Sequence, residues 1–303
     1  MKLKHLESAL SSVNYKFHDP KIILEQYPTS AHLAAAVAWT ANAKGDIGPD
    51  KQVLDLGCGT GMLTIAAAII SREDADSEDC GELPVIAVDC CPDALEQARE
   101  NCREMEVEVE FLQAKLRLKK SANERDIQKI GKRGNKGKGH RRGKMKNHRG
   151  EKSQADNTEV YLEQHQEEDN LDDGIPLNDG CVDTVLTNPP FGTKQNSGAD
   201  LAFLKCACRL SRSSVYSFHK SSTRDFLLRK AKEWNMGAEV VAEMKFDIPA
   251  MYKFHKEKSV DVRVDLLRLW HLNQSSQNTN DIDINAEEEF QTSYIELDQA
   301  ISR

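Results

Sequence analysis

Val53-Leu54-Asp55-Leu56-Gly57-Cys58-Gly59-Thr60-Gly61 reads as a short buried strand running into a glycine-rich turn, and Leu63 to Ile70 after it reads as a helix. Glycines let a chain turn sharply and approach a ligand closely, while the following helix offers free N–H groups. The spacing is tighter than the G-x-G-x-x-G of dinucleotide sites, which seats a pyrophosphate on the helix. The ligand here need carry no phosphate. Downstream, Pro84-Val85-Ile86-Ala87-Val88-Asp89 is a second apolar run ending in an acid. An open α/β sheet presents a carboxylate to ribose hydroxyls at that place, so Asp89 points to a nucleoside-bearing cofactor. Standing alone, a glycine turn that merely closes a strand–helix unit would look the same.

It does not stand alone, because Asn188-Pro189-Pro190-Phe191 follows the strand-like run Cys181 to Thr187. A planar exocyclic amine on a base or an amide is a poor nucleophile, its lone pair being delocalised. The Asn188 side-chain oxygen and the Pro189 carbonyl are two acceptors able to grip that amine's hydrogens and stabilise its pyramidal, attacking form. The prolines stiffen the loop, and Phe191 offers a flat face for a base to stack on. A proline turn capping a strand is the plainer reading of the tetrapeptide by itself.

Together these residues resemble the class I S-adenosylmethionine-dependent methyltransferases, in their amino-methylating branch. More narrowly, Leu24-Glu25-Gln26-Tyr27-Pro28-Thr29, Asn188 to Lys194, Val215 to Arg224 and Tyr252-Lys253-Phe254-His255-Lys256, in this order, are similar to the methyltransferase-like protein 5 family. The resemblance implies an α/β fold, a Rossmann-like, seven-stranded doubly wound sheet with an antiparallel terminal strand. It also implies N6-methylation of one adenosine in small-subunit (18S) ribosomal RNA, S-adenosylmethionine as cofactor, and a heterodimer with a small zinc-binding activator. Asn188, Pro189, Pro190 and Phe191 would then be catalytic. Gln26, Thr29, Asp55, Gly57, Gly59, Thr60, Met62, Asp89, Lys115 and Leu116 would hold the cofactor.

One position departs from the family's pattern. An acid there follows the third strand and accepts the hydrogens of the cofactor's adenine amine, whereas Gln113-Ala114-Lys115-Leu116 places a lysine, which cannot accept such a bond. Backbone groups do the work instead, or an acid from the following segment substitutes, or cofactor binding is weaker. Lys115 keeps open a catalytically silent, RNA-binding scaffold on the same fold, and the tetrapeptide keeps open methylation of a protein glutamine amide. Phe191, where that glutamine branch usually has tyrosine, favours the adenine enzyme, as does Gln26-Tyr27-Pro28-Thr29.

Helix and strand alternate along most of the chain. The pattern predicts a helix over Ser30 to Ala43, then strands near Gln52 to Leu56, Pro84 to Asp89 and Val107 to Leu112, with helices near Met62 to Ser71 and Pro92 to Arg103 between them. It resumes with a strand over Val182 to Thr187, a helix near Ala199 to Leu210, a strand near Ser213 to Phe218 and a helix near Arg224 to Trp234. Strands near Glu239 to Phe246 and Ser259 to Leu269 close it. In the last, Val260, Val262, Val264 and Leu266 alternate with Asp261, Arg263 and Asp265, the period of a strand with one wet face. Residues 1–116 and 179–272 are thus two halves of one methyltransferase domain. In the doubly wound order the third strand, Val107-Glu108-Val109-Glu110-Phe111, is a sheet edge, open to strand addition by the activator.

Residues 117–178 interrupt the pattern. Arg117 to Lys152 holds 15 Lys/Arg against 3 Asp/Glu, too polar to build a core and expected to be disordered, like the acidic polar tail 273–303. An RNA-engaging arm, a nuclear import signal and a merely solvated loop are all compatible with that charge. Lys220, Lys253, His255, Lys256 and Lys258 fall in loops bordering the cleft, where positive groups could hold phosphates. The 303 residues, 39% hydrophobic, suffice for one sizeable α/β domain. No apolar stretch is long enough to span a bilayer, and the start lacks the apolar core of a signal peptide. Eight cysteines without a C-x-x-C pair suit a reducing compartment and predict no metal in this chain. An intracellular protein of the cytoplasm and nucleus is the expectation.

Overall fold

The computed structural model describes residues 1–73, 84–117, 173–192, 196–249 and 259–272. Two helices come first, α1 (Leu3–Leu10) and α2 (Ala31–Ala43). Ser30 is the N-cap of α2, its hydroxyl accepting from the Leu33 amide at 3.3 Å. There follow β1 (Val53–Leu56), α3 (Met62–Glu73), β2 (Val85–Asp89), α4 (Pro92–Glu104), β3 (Val109–Gln113) and β4 (Val182–Thr187). The chain continues through α5 (Ala199–Leu210), β5 (Ser211–Lys220), α6 (Arg224–Glu233), β6 (Met236–Pro249) and β7 (Ser259–His271).

The seven strands lie in the order β3-β2-β1-β4-β5-β7-β6. Pairing is parallel from β3 to β5, and β7 runs antiparallel to β5. This is the expected class I methyltransferase sheet with its antiparallel end. Every residue of β1 is buried, as a central strand covered on both faces requires. One face packs Leu54, Leu56, Val88 and Val185 under Leu204 and Leu210 of α5 and Leu227 of α6. The alternate residue Ala87 meets Leu95 of α4 on the other face. Strand order reverses between β1 and β4, the switch point at whose carboxyl ends doubly wound sheets place their ligands. Thr187 ties those two ends together, its hydroxyl donating to the Leu56 carbonyl at 2.6 Å.

Three expectations change. The period-2 reading of β7 gave it a wet face, yet Asp265 is wholly buried. It accepts two bonds from the Arg224 guanidinium at 2.7 Å each and one from the Ser221 hydroxyl at 2.6 Å. β7 lies inside the sheet between β5 and β6, so Asp265 is satisfied by protein and not by water, while Arg263, its side chain 75% exposed, keeps to the wet face. β5 begins at Ser211, earlier than the apolar pattern suggests, where the Ser211 hydroxyl donates to the Cys208 carbonyl at 3.4 Å and Arg212 pairs with Asp183 at 3.0 Å. Ser214 and Tyr216 donate to the buried Asp46 carboxylate, which Arg268 of β7 also grips. Third, the fold reaches back into the 117–178 stretch. Ile175 is buried in the core, and Arg209 of α5 holds both oxygens of Asp173 at 2.9 Å. A single isoleucine anchored by one arginine leaves no periodicity to read. Residues 118–172, Lys253, His255, Lys256, Lys258 and the tail 273–303 lie outside the described residues. No helix among the described residues is long and apolar enough to cross a membrane.

Candidate active site

A cavity of about 800 Å³ opens at the carboxyl ends of β1, β2 and β4. The turn after β1 forms its floor. Gly57, Gly59 and Gly61 have φ of 81°, 54° and 87°, a left-handed backbone that side chains resist. The turn is also packed from behind. A Cβ on Gly57 would come within 3.0 Å of the Phe203 ring, and one on Gly59 within 2.9 Å of the Phe17 ring. Conformation and space therefore both demand glycine.

Asp89 fixes the turn from β2. Its Oδ2 accepts from the Gly59 amide at 2.9 Å and its Oδ1 from the Cys91 amide at 2.8 Å. The Cys90 amide is a third backbone donor to this carboxylate, and of its roughly four acceptor sites one is left toward the cavity. Burial raises the pKa of Asp89, against the backbone donors that favour its charged form.

Two walls come from segments far away in sequence. On one side, Gln97 of α4 donates to the carbonyls of Asn14 and Lys16 at 2.9 and 2.7 Å, and Asn101 donates to the carbonyls of Asn14 and Thr60 at 3.1 and 2.8 Å. The Thr60 hydroxyl donates to the Tyr15 carbonyl at 3.0 Å. Segment 14–18 is thereby strapped over the turn, with Phe17 on Gly59. On the other side, the Lys21 amide donates to Gln26 Oε1 at 2.7 Å. Asn196 Nδ2 donates to the Ile23 carbonyl at 2.8 Å and to Glu25 Oε1 at 3.1 Å. Glu25 itself sits at φ 51°.

The tetrapeptide enters between these walls. Asn188 and Pro190 line the cavity, and Asn188 Nδ2 donates to the Thr29 hydroxyl oxygen at 3.0 Å. Gln26, Thr29, Gly57, Gly59, Thr60, Met62, Asp89, Lys115 and Leu116 line it too, so most of the expected set converges. Three members do not. Pro189 is buried outside the lining. Phe191 is only 6% exposed and lines no part of the cavity, so burial leaves its ring without the open stacking face expected. Asp55 lies beneath the floor, its Oδ2 accepting from the Thr64 amide and hydroxyl at 3.0 and 2.6 Å. It joins β1 to α3 and does not face the cavity. Lys220 ends β5 outside the lining, its carbonyl accepting from Thr223 at 2.8 Å.

At the far end, Leu116, Arg117, Gly174 and Ile175 close the cavity beside Lys115. Among the described residues of the interrupting segment, Asp173 is an acid brought near, its carbonyl accepting from the Arg117 amide at 2.7 Å. Both of its carboxylate oxygens are engaged by Arg209, which holds the carboxyl below its usual range against the effect of burial.

Sequence reasoning missed Phe17, Phe203, Asn196 and the Gln97–Asn101 pair. Only the pair left a trace, as two polar residues four apart on the inward face of α4, 5% and 3% exposed.

Residues 47–130 match the model of a methyltransferase domain family. The chain is 37% identical to the rRNA N(6)-adenosine-methyltransferase METTL5 of Danio rerio, over 88% of this chain and 98% of that one. It is 35% identical to the Drosophila melanogaster protein of the same description, over 88% and 96%. A solved Pyrococcus horikoshii structure, proposed as an RNA methyltransferase, superposes with a TM-score of 0.59 at 24% identity, covering 91% of this chain and 98% of that one. That last likeness concerns the fold.

Proposed function

The chain belongs to the METTL5 family of rRNA N6-adenosine methyltransferases, and from that premise we propose that it methylates N6 of one adenosine in small-subunit (18S) ribosomal RNA. It is a methyltransferase that uses S-adenosylmethionine, and the cavity suits that cofactor. Asp89 has acceptor capacity left for ribose hydroxyls, and the glycine turn lets main chain come close. Gln26, Thr60 and Met62 complete the pocket, with Leu116 at its adenine end. The bound cofactor supplies an electrophilic methyl group.

What the protein adds is the handling of the amine. With its nitrogen committed to Thr29, Asn188 has Oδ1 left to accept a hydrogen from the target N6. An acceptor set where the amine must pyramidalise favours the transition state over the ground state; the Pro189 carbonyl would add a second only in a bound state that brings it into the cavity, whose lining lacks Pro189 here. The observation that carries this reading is that Asn188 and Asp89, from separate motifs, line one cavity. Asn188→Ala should lower N6-methyl transfer to small-subunit rRNA by on the order of 100-fold or more, with calorimetric cofactor affinity nearly unchanged. Normal turnover would reject the assignment.

The edge of the sheet favours a partner. β3 is terminal in the strand order. Its Val109 and Phe111 pack only partly against Cys58, Ala87 and Leu95, with Arg99 stacked 5.0 Å from the centre of the Phe111 ring. A small zinc-binding activator adding a strand there would cover this apolar surface and satisfy the edge. Lys220, at the same carboxyl edge of the sheet as Asn188, would hold RNA phosphate. A protein acting on ribosomal RNA would work in the nucleus and cytoplasm.

A further inference from the structure

An asparagine amide has an accepting end and a donating end, exchanged by a half turn of the side chain. Only the accepting end can take a hydrogen from an amine; the flipped amide would set N–H against N–H. Something must therefore choose the rotation of Asn188. In the structure Asn188 Nδ2 lies 3.0 Å from Thr29 Oγ1 and donates to it.

We propose that Thr29 is a positioning residue whose hydroxyl, by accepting from Nδ2, turns the Asn188 oxygen toward the target amine. The inference rests on the reading of Asn188 given above. A hydroxyl can accept this bond and still donate its own proton, and Thr29 lines the cavity, where that proton can point at bound ligand.

Thr29 is itself held on both sides. Pro28 limits the backbone before it, and Ser30 after it caps α2, its hydroxyl accepting from Leu33 and its carbonyl from Ala34. Upstream, Asn196 binds the Ile23 carbonyl and Glu25. The stretch 23–29 is thus bonded to the catalytic segment at two points, Thr29 to Asn188 and Glu25 to Asn196. It holds Asn188 at one end and Asn196 at the other. β4 supplies the segment's level, and this stretch supplies its rotation.

The test compares Thr29→Val, Thr29→Ser, Asn188→Ala and the double variant Thr29→Val/Asn188→Ala. Methyl transfer is measured at saturating cofactor, and cofactor affinity separately by calorimetry. Valine keeps the shape and removes the acceptor, so kcat should fall by about 10- to 100-fold with KM for RNA little changed. Serine restores the oxygen and should stay within about 3-fold of the parent. In the Asn188→Ala background Thr29→Val should cost nothing more, since the group it orients is gone. Parent-like kcat in Thr29→Val would overturn the proposal, as would a loss that multiplies with Asn188→Ala. So would a loss explained wholly by weaker cofactor binding. If Asn188→Ala is itself fully active, the reading of Asn188 fails and this inference falls with it. An inactive Asn188→Ala beside a normal Thr29→Val removes the inference alone.

Discussion

Replacing Asp55 by asparagine should remove a pH-dependent weakness from beneath the glycine turn. Asp55 is 1% exposed. Its Oδ2 accepts twice from Thr64, while Oδ1 has no hydrogen-bond partner among the described residues. Burial pushes the carboxyl from its ordinary 3.8 up to about 7; the two Thr64 bonds oppose the rise and the nearby Asp89 charge adds to it. Between those two values the folded protein keeps a proton that the unfolded chain releases. Stability from this group is therefore complete below about pH 4 and is lost as pH climbs through about 7. At about 1.4 kcal/mol per unit the loss has a ceiling near 4 kcal/mol, which water entry on ionisation lowers toward about 2 kcal/mol. In a domain of this size that corresponds to roughly 4–10 °C in Tm. Asparagine keeps an acceptor for Thr64 and cannot ionise; its uncapped amide nitrogen costs the same at every pH. Melting curves of both proteins from pH 5 to 8.5 sample the pH 5 to 7 part of that window and should show the difference in Tm moving in favour of Asp55→Asn by about two thirds of that amount. Groups whose pKa is lowered, such as Asp46 and Asp200, act alike in both proteins and cancel. Parallel profiles would show that Asp55 is not a titrating burden and would refute the reasoning.

Asp89→Ala should weaken S-adenosylmethionine binding by about 10-fold or more in calorimetry, since it removes a ribose acceptor and releases the Gly59 amide from its anchor; unchanged affinity would remove Asp89 from the cofactor site. At the sheet edge, Val109→Pro should prevent a one-to-one complex with the activator while far-UV circular dichroism stays close to the parent's. Undiminished co-purification would show that the partner does not use β3.

The centre of the sheet was legible because β1 and β2 are short, mostly apolar runs of β-branched and aliphatic residues. Val182 to Thr187 has the same bounds in the sequence reading and in the structure. The glycine turn and Asp89 were legible because their chemistry is local: a positive φ, an acid closing a strand. What escaped was long in sequence. Thr29 and Asn188 are 159 residues apart, and nothing near either residue announces the other. Phe191 misled for a related reason. Its ring chemistry can be read from the sequence, but whether core or cavity takes the ring is decided by packing that no neighbouring residue encodes. Asp265 misled likewise, since a carboxylate in an alternating strand looks wet until an arginine 41 residues away reaches it.

Lys115 shows the two kinds of information working together. That an acid is missing there is visible in the sequence, and three remedies were open. The structure tests the one that needed an acid from the following segment. Asp173 is brought within one hydrogen bond of Arg117, close enough in principle, but Arg209 bonds both of its oxygens and the Ile175 amide and Cys206 thiol take further acceptor sites. Redirecting either oxygen would break a charge-assisted pair that also anchors Ile175 in the core. Asp173 is therefore spent on folding. Among the described residues of that segment no acid is left for this role, so main-chain carbonyls around 115–117 are the local acceptors for an adenine amine. This stretch has little freedom to adjust, because Gly174, at φ 86°, lies so close that an added Cβ would come within 2.5 Å of the Lys115 carbonyl oxygen.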